Sequence, residues 1–574
     1  MKKKQDKKTG TPEVLTLYDM LLRLVVQSDL LNGEVFATFE RRLRLFFAEE
    51  RNAEIRLFFG FSRNLGHRAT TIGIMNRLIT YFPAGSNRTI RLIYDVDPED
   101  EDGPSRVVAR QEFANAMALL VPGLTAQGVL DATPYALTNR VTLQFNCFDQ
   151  REEVPFLPAL DTDCYFAVTG GYDDTLNITE TIRVQCILVL EPYQFTKYNS
   201  LNTVYFQDTA AAHGILLGPK YNREGTEVVD NLVGYYGLTF TRRAYYLPDP
   251  VVSGAEWQLF QNGDAYRYSI VQRLMTLREA GSIQIMPCYY SDGRIMCSSR
   301  ELLFNMTSAL FEMQRLRTVG RVPNVCSVIV VLGGIEDADY AAVLNLVNVG
   351  IPRYPLLSAR GYALRNAYRD RYNALGINAT PQNITDAVAA VGNSGIVVVR
   401  LGKVPLYINN YLFSVLSALP AVYEGEGSAS MILNSGKPFL HLISRDLNNI
   451  AEGPDRDAAI LTNQLYPTIP LNAESSPIAN RCHIDSLSMV STFQQWETGY
   501  EQDVLASSPD EIVGNFIYDS YRAGSDRYNY FATLRPFFNS PLQDKLMLGM
   551  IYTLGEINGR AEETTKALAL QKTP

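Results

Sequence analysis

Between Tyr423 and Leu442 the chain reads YEGEGSASMILNSGKPFLHL, a stretch whose residue types suit the binding of a phosphate. Gly425 and Gly427 permit a sharp bend with close backbone approach, and Ser428 can cap a helix running to about Ser435. The first amides of such a helix, from Gly427 through Ser428, Ala429 and Ser430, lack internal partners and stand at the positive end of its dipole. They therefore suit a phosphate or diphosphate. Gly436-Lys437-Pro438 then stops the helix and opens the strand FLHLI. The same pattern also suits an ordinary βαβ crossover with a glycine turn. A second cluster, GFSRNLGHRATT, carries Gly60, Gly66, His67 and two threonines ahead of a helix, and can form another oxyanion or phosphate surface. It is not a Walker A loop, because no Gly-Lys-Ser/Thr follows. Two further turns, Gly170 to Asp174 and the pair Gly333-Gly334, each end an apolar run.

These residues need strands and helices to hold them. EIRLFF, from Glu54 to Phe59, reads as a strand, IGIMNRLITYF as a helix and RTIRLIYDV as the next strand. TDCYFAVTGGYDD, a helical NITETIRV and CILVLEPYQF repeat the pattern. A helix near Arg300 to Val319 precedes the strand NVCSVIVVLGG, and alternation restarts at about Pro323. IEDADYAAVLNLVNVG is then helical, as is the basic segment Gly361 to Leu375. The strand GIVVVRLG and the helix YINNYLFSVLSAL lead into the glycine-rich stretch. Such alternation predicts parallel sheets with ligands at the carboxyl ends of their strands. Lys197 to Gly281 is aromatic-rich and irregular, and reads as the end of the first domain or an insertion. Pro12 to Arg51 reads as two amphipathic helices, and the chain after Ile484 as helical and loop-rich.

At 574 residues the chain is too long for one core. The pattern divides it into a basic tail with amphipathic helices (1–51), an α/β domain with an irregular insertion (52–320), a second α/β domain (321–484) and a helical segment (485–574). A net charge of −9 argues against a nucleic-acid surface. Seven cysteines without a CxxC spacing point to reduced thiols and a cytoplasmic setting. With four histidines and no HExxH, no structural zinc site is expected. The acidic run Asp95 to Ser105 lacks the spacing of an EF-hand and reads as an exposed loop. The basic start MKKKQDKK has no apolar core after it, so no Sec signal is expected, and no apolar run is long enough to span a bilayer. Membrane contact is at most peripheral, through that basic start.

Taken together, RLFFGFSRNLGHRATTIGIMNRL, DCYFAVTGGYDD, VIVVLGGIEDADYAAVLNLV and the Tyr423–Leu442 stretch resemble, in order, pieces of the GT-B glycosyltransferases, in the branch of lipid-linked and diacylglycerol-sugar transferases. The resemblance implies an α/β fold in which two Rossmann-like domains face each other across a cleft, with helical extensions at both ends. It implies transfer of a sugar from a nucleotide-diphosphate sugar to an acceptor, with no further cofactor. The donor would be held by Gly66, Gly333, Gly334 and the turn Glu424, Gly425, Glu426, Gly427, Ser428, Ala429 and Ser430. Arg400 and Lys403 would neutralise the diphosphate without a metal. His67 is the first choice of base, since imidazole titrates near neutrality, and Asp173 or Asp174 the second. Where that branch commonly carries a donor-holding Glu, counting back from Gly436 gives Met431, so the ribose role passes to Glu424 or Glu426. A nucleotide-sugar epimerase or hydrolase, or a non-catalytic interaction protein on the same scaffold, are the alternatives. The C-terminal GRAEETTKALALQKTP resembles a type IV secretion signal, which implies a bacterial effector with a host protein as acceptor.

Overall fold

The run EIRLFF is apolar on both faces apart from the paired Glu54 and Arg56, as a strand covered on both sides must be. In the computed structural model it forms β1 (Glu54–Phe59) at the middle of a sheet. The structure describes residues 41, 43–60, 65–96, 106–149, 154–157, 164–170, 182–190, 203–207, 233–237, 251–291, 299–335, 337–344, 369–423, 426–441, 509–525, 527–529 and 531–532. Helix α1 (Leu65–Ile79) crosses to β2 (Arg88–Asp95), and α2 (Arg106–Leu120) crosses on to β4 (Val141–Asp149), past the short α3 (Ala126–Leu130) and β3 (Tyr135–Ala136). After β5 (Val154–Leu157), the strands β6 (Cys164–Thr169) and β7 (Val184–Val189) continue the sheet on the other side of β1. The antiparallel strands β8 (Thr203–Gln207) and β9 (Val233–Gly237) finish it.

The first sheet has the order β3-β4-β2-β1-β6-β7-β8-β9, with β5 beside β4, and its core β4-β2-β1-β6-β7 is wholly parallel. Its first strand is central. The chain winds outward through β2 and β4, then returns to the far side of β1 with β6. In a doubly wound sheet such a reversal is a topological switch point, and the strands diverge there at their carboxyl ends.

Helices α4 (Gly254–Gly263) and α5 (Ala265–Glu279) lead into a second sheet whose first strand is β10 (Ile283–Ser291). It continues through α6 (Ser299–Val319), β11 (Cys326–Gly334), α7 (Asp337–Leu344), β12 (Tyr372–Ala374), α8 (Pro381–Val391), β13 (Ile396–Arg400) and α9 (Leu406–Tyr411). A π-helical turn (Leu412–Leu416) precedes β14 (Ala421–Tyr423), followed by α10 (Glu426–Ser435) and β15 (Phe439–His441). The order is β12-β13-β11-β10-β14-β15, every pairing is parallel, and the reversal falls between β10 and β14. Helix α11 (Pro509–Tyr521) packs along α6. The molecule is thus a mixed α/β protein with two parallel-cored sheets, consistent with two Rossmann-like domains.

Three expectations change. The second sheet does not begin at residue 321, because β10 and the helices α4 and α5 precede that point and belong to it. Its central strand, IQIMPCYYS, hides in sequence because Gln284 and Pro287 break the apolar run. Pro287 fits because its nitrogen faces the β14 side, by the strand's alternation, and pairing with β14 begins only at Cys288. Second, the part of Lys197 to Gly281 that is described is ordered as β8, β9, α4 and α5, capped at Ser253 by a capping box with Glu256. Third, the end of the supposed basic helix is a single 3-10 turn, Arg369–Arg371, followed by the strand β12. Residues 361–368, most of the first two amphipathic helices, residues 177–181 of the expected helix NITETIRV and the residues after 532 lie outside the described residues; the end of NITETIRV is a turn at Ile182 and Arg183, and its Val184 opens β7.

Candidate functional site

Both switch points open beside a helix that the residue types single out. In the first sheet that helix is α1, which follows β1, and the strand across the reversal is β6. In the second it is α10, which follows β14, with β10 across the reversal. The two helices touch each other. A second contact joins α9 to α2, and Leu406 packs on the first core.

Gly66 and His67 lie in the first turn of α1 rather than in a loop ahead of it, since the helix begins at Leu65. His67 is half-buried, and its carbonyl accepts a 3.1 Å bond from the Thr71 hydroxyl. The two threonines expected to offer a phosphate surface do not: Thr70 and Thr71 are 3% and 2% exposed. They pack under Gly170, the residue after β6, whose amide donates to Thr71 Oγ1 at 3.0 Å. A side chain at 170 would meet the Thr71 nitrogen and hydroxyl at 2.6 Å, so only glycine fits that close approach. Arg68, whose residue type and spacing mark no role, is buried in the same turn, donates to the Glu112 carbonyl at 3.3 Å and lies over the Phe113 ring. Burial pulls its guanidinium down to about 10, against the opposing pull of Glu112. Its only signal was its place beside His67. Asp173 and Asp174 lie outside the described residues.

At the second switch point Gly333 has φ +96, and a Cβ there would stand 2.5 Å from the Tyr290 carbonyl, so strand β11 closes on β10 only through glycine. Gly334 pairs with Ser291 as the last residue of the ladder. Tyr290 and Tyr423, near the carboxyl ends of β10 and β14, are fully buried. Glu424 and Gly425 lie outside the described residues, as do the side chains of Glu426, Ala429 and Ser430. The helix starts at Glu426, so Ser428 is its third residue and not its cap, and Gly427 to Ser430 form the first turn together. An acidic residue in that first position suits the dipole.

Arg400 is not a free cation for a diphosphate. Its guanidinium forms an ion pair with Asp337, donates to the Ile335 carbonyl and lies 5.4 Å from the Tyr340 ring centroid, so it ties β13 to the start of α7. Arg400 ends a strand whose neighbour, β11, delivers Ile335 and Asp337 to the same edge, a proximity that sequence spacing does not reveal. Lys403 is exposed just beyond β13. Met431, at the position where the resembled branch carries its Glu, is buried in the second core beside Ile432, so that position faces the sheet and not a ligand. Among the described residues no group of three or more His, Cys, Asp or Glu could hold a metal, and no helix is long and apolar enough to cross a membrane.

No family model matches the chain, and no curated protein does. Among solved structures it is similar to the N-terminal domain of Candida albicans trehalose-6-phosphate phosphatase, at 8% identity, covering 87% of this chain and 96% of that one with a TM-score of 0.33. A likeness of that order decides nothing about activity.

Proposed function

We propose that the chain is a glycosyltransferase of the GT-B kind, moving a sugar from a nucleotide-diphosphate sugar to an acceptor hydroxyl in a cleft between its two domains. One observation carries this: the helices chosen by residue type, α1 and α10, each stand at the switch point of a parallel sheet, where doubly wound folds bind ligands, and they touch. In this reading the diphosphate lies on the first amides of α10, at Gly427 to Ser430. Those donors stabilise the negative charge that grows on the leaving group as the glycosidic bond breaks, with Lys403 as the mobile cation on the same edge. His67, in the first turn of α1, takes the proton of the attacking hydroxyl. Arg400 acts through structure, by holding α7 and the Gly333-Gly334 edge.

The core position of Met431 and the commitment of Arg400 favour a second reading, a non-catalytic scaffold that keeps the phosphate grip without turnover. One panel separates the two. The full chain is mixed with UDP-glucose, UDP-N-acetylglucosamine, UDP-galactose and GDP-mannose, and both the melting temperature and the release of UDP or GDP are followed. A ligand at about a hundred times its Kd adds roughly 2.7 kcal/mol, a shift that a melt resolves. A shift with nucleotide release supports the transferase, a shift without release supports the scaffold, and no shift with any donor or free nucleotide overturns both.

A further inference from the structure

The two turns at the first switch point are not independent. Thr71 Oγ1 is a donor to the His67 carbonyl at 3.1 Å, four residues back in α1, and at the same time the acceptor for the Gly170 amide at 3.0 Å. One hydroxyl therefore joins the turn that carries His67 to the turn that leaves β6. The group is 2% exposed, so water cannot replace either bond at no cost. The fit is tight as well as bonded, because a Cβ on Gly170 would meet Thr71 atoms at 2.6 Å and Thr70 Cγ2 at 2.8 Å. A hydroxyl can give one hydrogen bond while accepting another; an isosteric methyl can do neither.

We propose that Thr71 is a positioning residue for the reaction: it fixes the first turn of α1, and with it His67, against the end of β6 at Gly170 across the switch point, so that the His67 imidazole is held in register with the reacting atoms. The inference rests on the glycosyltransferase reading for its chemistry, while the tie itself stands on the two hydrogen bonds alone. Misplacing a reacting group by about 1 Å costs on the order of a hundredfold in rate. Loss of the tie should thus lower kcat and leave the donor KM, set at α10, where it was.

The experiment compares Thr71→Val with Thr71→Ser in the full chain. The rate is release of UDP or GDP, with water as acceptor, from whichever donor of the panel the wild type turns over. Hydrogen exchange of the peptide spanning residues 164–170 is measured alongside, and both melting temperatures show that the variants fold. The expected result is a fall of about a hundredfold in kcat for the valine variant at unchanged donor KM, wild-type kcat for the serine variant, and faster exchange of the Gly170 peptide in the valine variant alone. Wild-type kcat in Thr71→Val, or a serine variant as slow as the valine one, overturns the positioning role. If the wild type cleaves no donor, whether or not it binds one, the glycosyltransferase reading fails and takes the positioning role with it. Exchange then decides the tie on its own: protection lost in valine and kept in serine supports it, and equal protection in all three proteins overturns it.

Discussion

Glu54 opens the central strand β1 and accepts from Arg56 Nε at 2.9 Å and from Arg91 Nε and Nη2 at 2.8 Å each. Arg56 is 1% exposed and also donates to the Ile182 and Arg183 carbonyls. Glu54→Gln keeps the shape and removes a counter-charge that the buried Arg56 guanidinium and Arg91 share. Breaking a buried ion pair costs about 3–5 kcal/mol. Glu54 keeps 22% of its side chain open to solvent, which places the loss at the lower end, about 3 kcal/mol. For a domain of this size that corresponds to roughly 6–12 °C in the transition of the first domain. Burial alone would raise the carboxyl's pKa, but the hydrogen bonds from Arg91 and Arg56 and their charges outweigh it and hold the pKa below the ordinary carboxylate range. The stabilisation is thus complete above that range and drains away as pH falls through the lowered folded value. Thermal and urea melts of both proteins, from pH 7 downward, should show a gap that narrows on the acid side. A glutamine variant within about 0.5 kcal/mol of wild type at pH 7, or a gap that widens with acid, refutes the reasoning.

Two substitutions test the second domain. Gly333→Ala places a methyl against the Tyr290 carbonyl in a positive-φ backbone and should cost about 2–4 kcal/mol, read as a lowered melting transition together with weaker nucleotide-sugar binding in titration calorimetry. Gly514→Ala should gain about 1 kcal/mol of helix propensity but lose more by overpacking, because the new Cβ would stand 2.7 Å from Glu312 Cβ and 2.9 Å from the Ala309 carbonyl where α11 lies on α6. A net loss of about 1 kcal/mol in urea unfolding is expected, and a more stable variant would show that α11 sits further from α6.

The strands EIRLFF, RTIRLIYDV and GIVVVRLG were legible because a strand covered on both faces has to be apolar nearly throughout. The helix stop at Gly436 was legible too: its φ of +67 is a conformation for which glycine is chosen. The strand β10 was not, because what makes it a strand is its neighbours β11 and β14, which cover a sequence with a proline in its middle. The same holds at the site. Spacing brought out Gly66, His67, Gly333 and the Glu424 to Ser430 turn, but spacing cannot say that Thr70 and Thr71 face inward, or that Arg400 meets Asp337 across sixty-three residues.

By itself, then, the sequence determined the local alternation of strands and helices and the glycine turns at their ends, since period, capping and backbone freedom act over a few residues. Strand order, and with it the two switch points, was decided only in three dimensions, by which apolar faces cover one another. The stretch from Tyr423 to Leu442 shows the division. Its turn, helix and strand are written in its own residues, whereas its place opposite β10 and its contact with α1 come from chain far away in sequence.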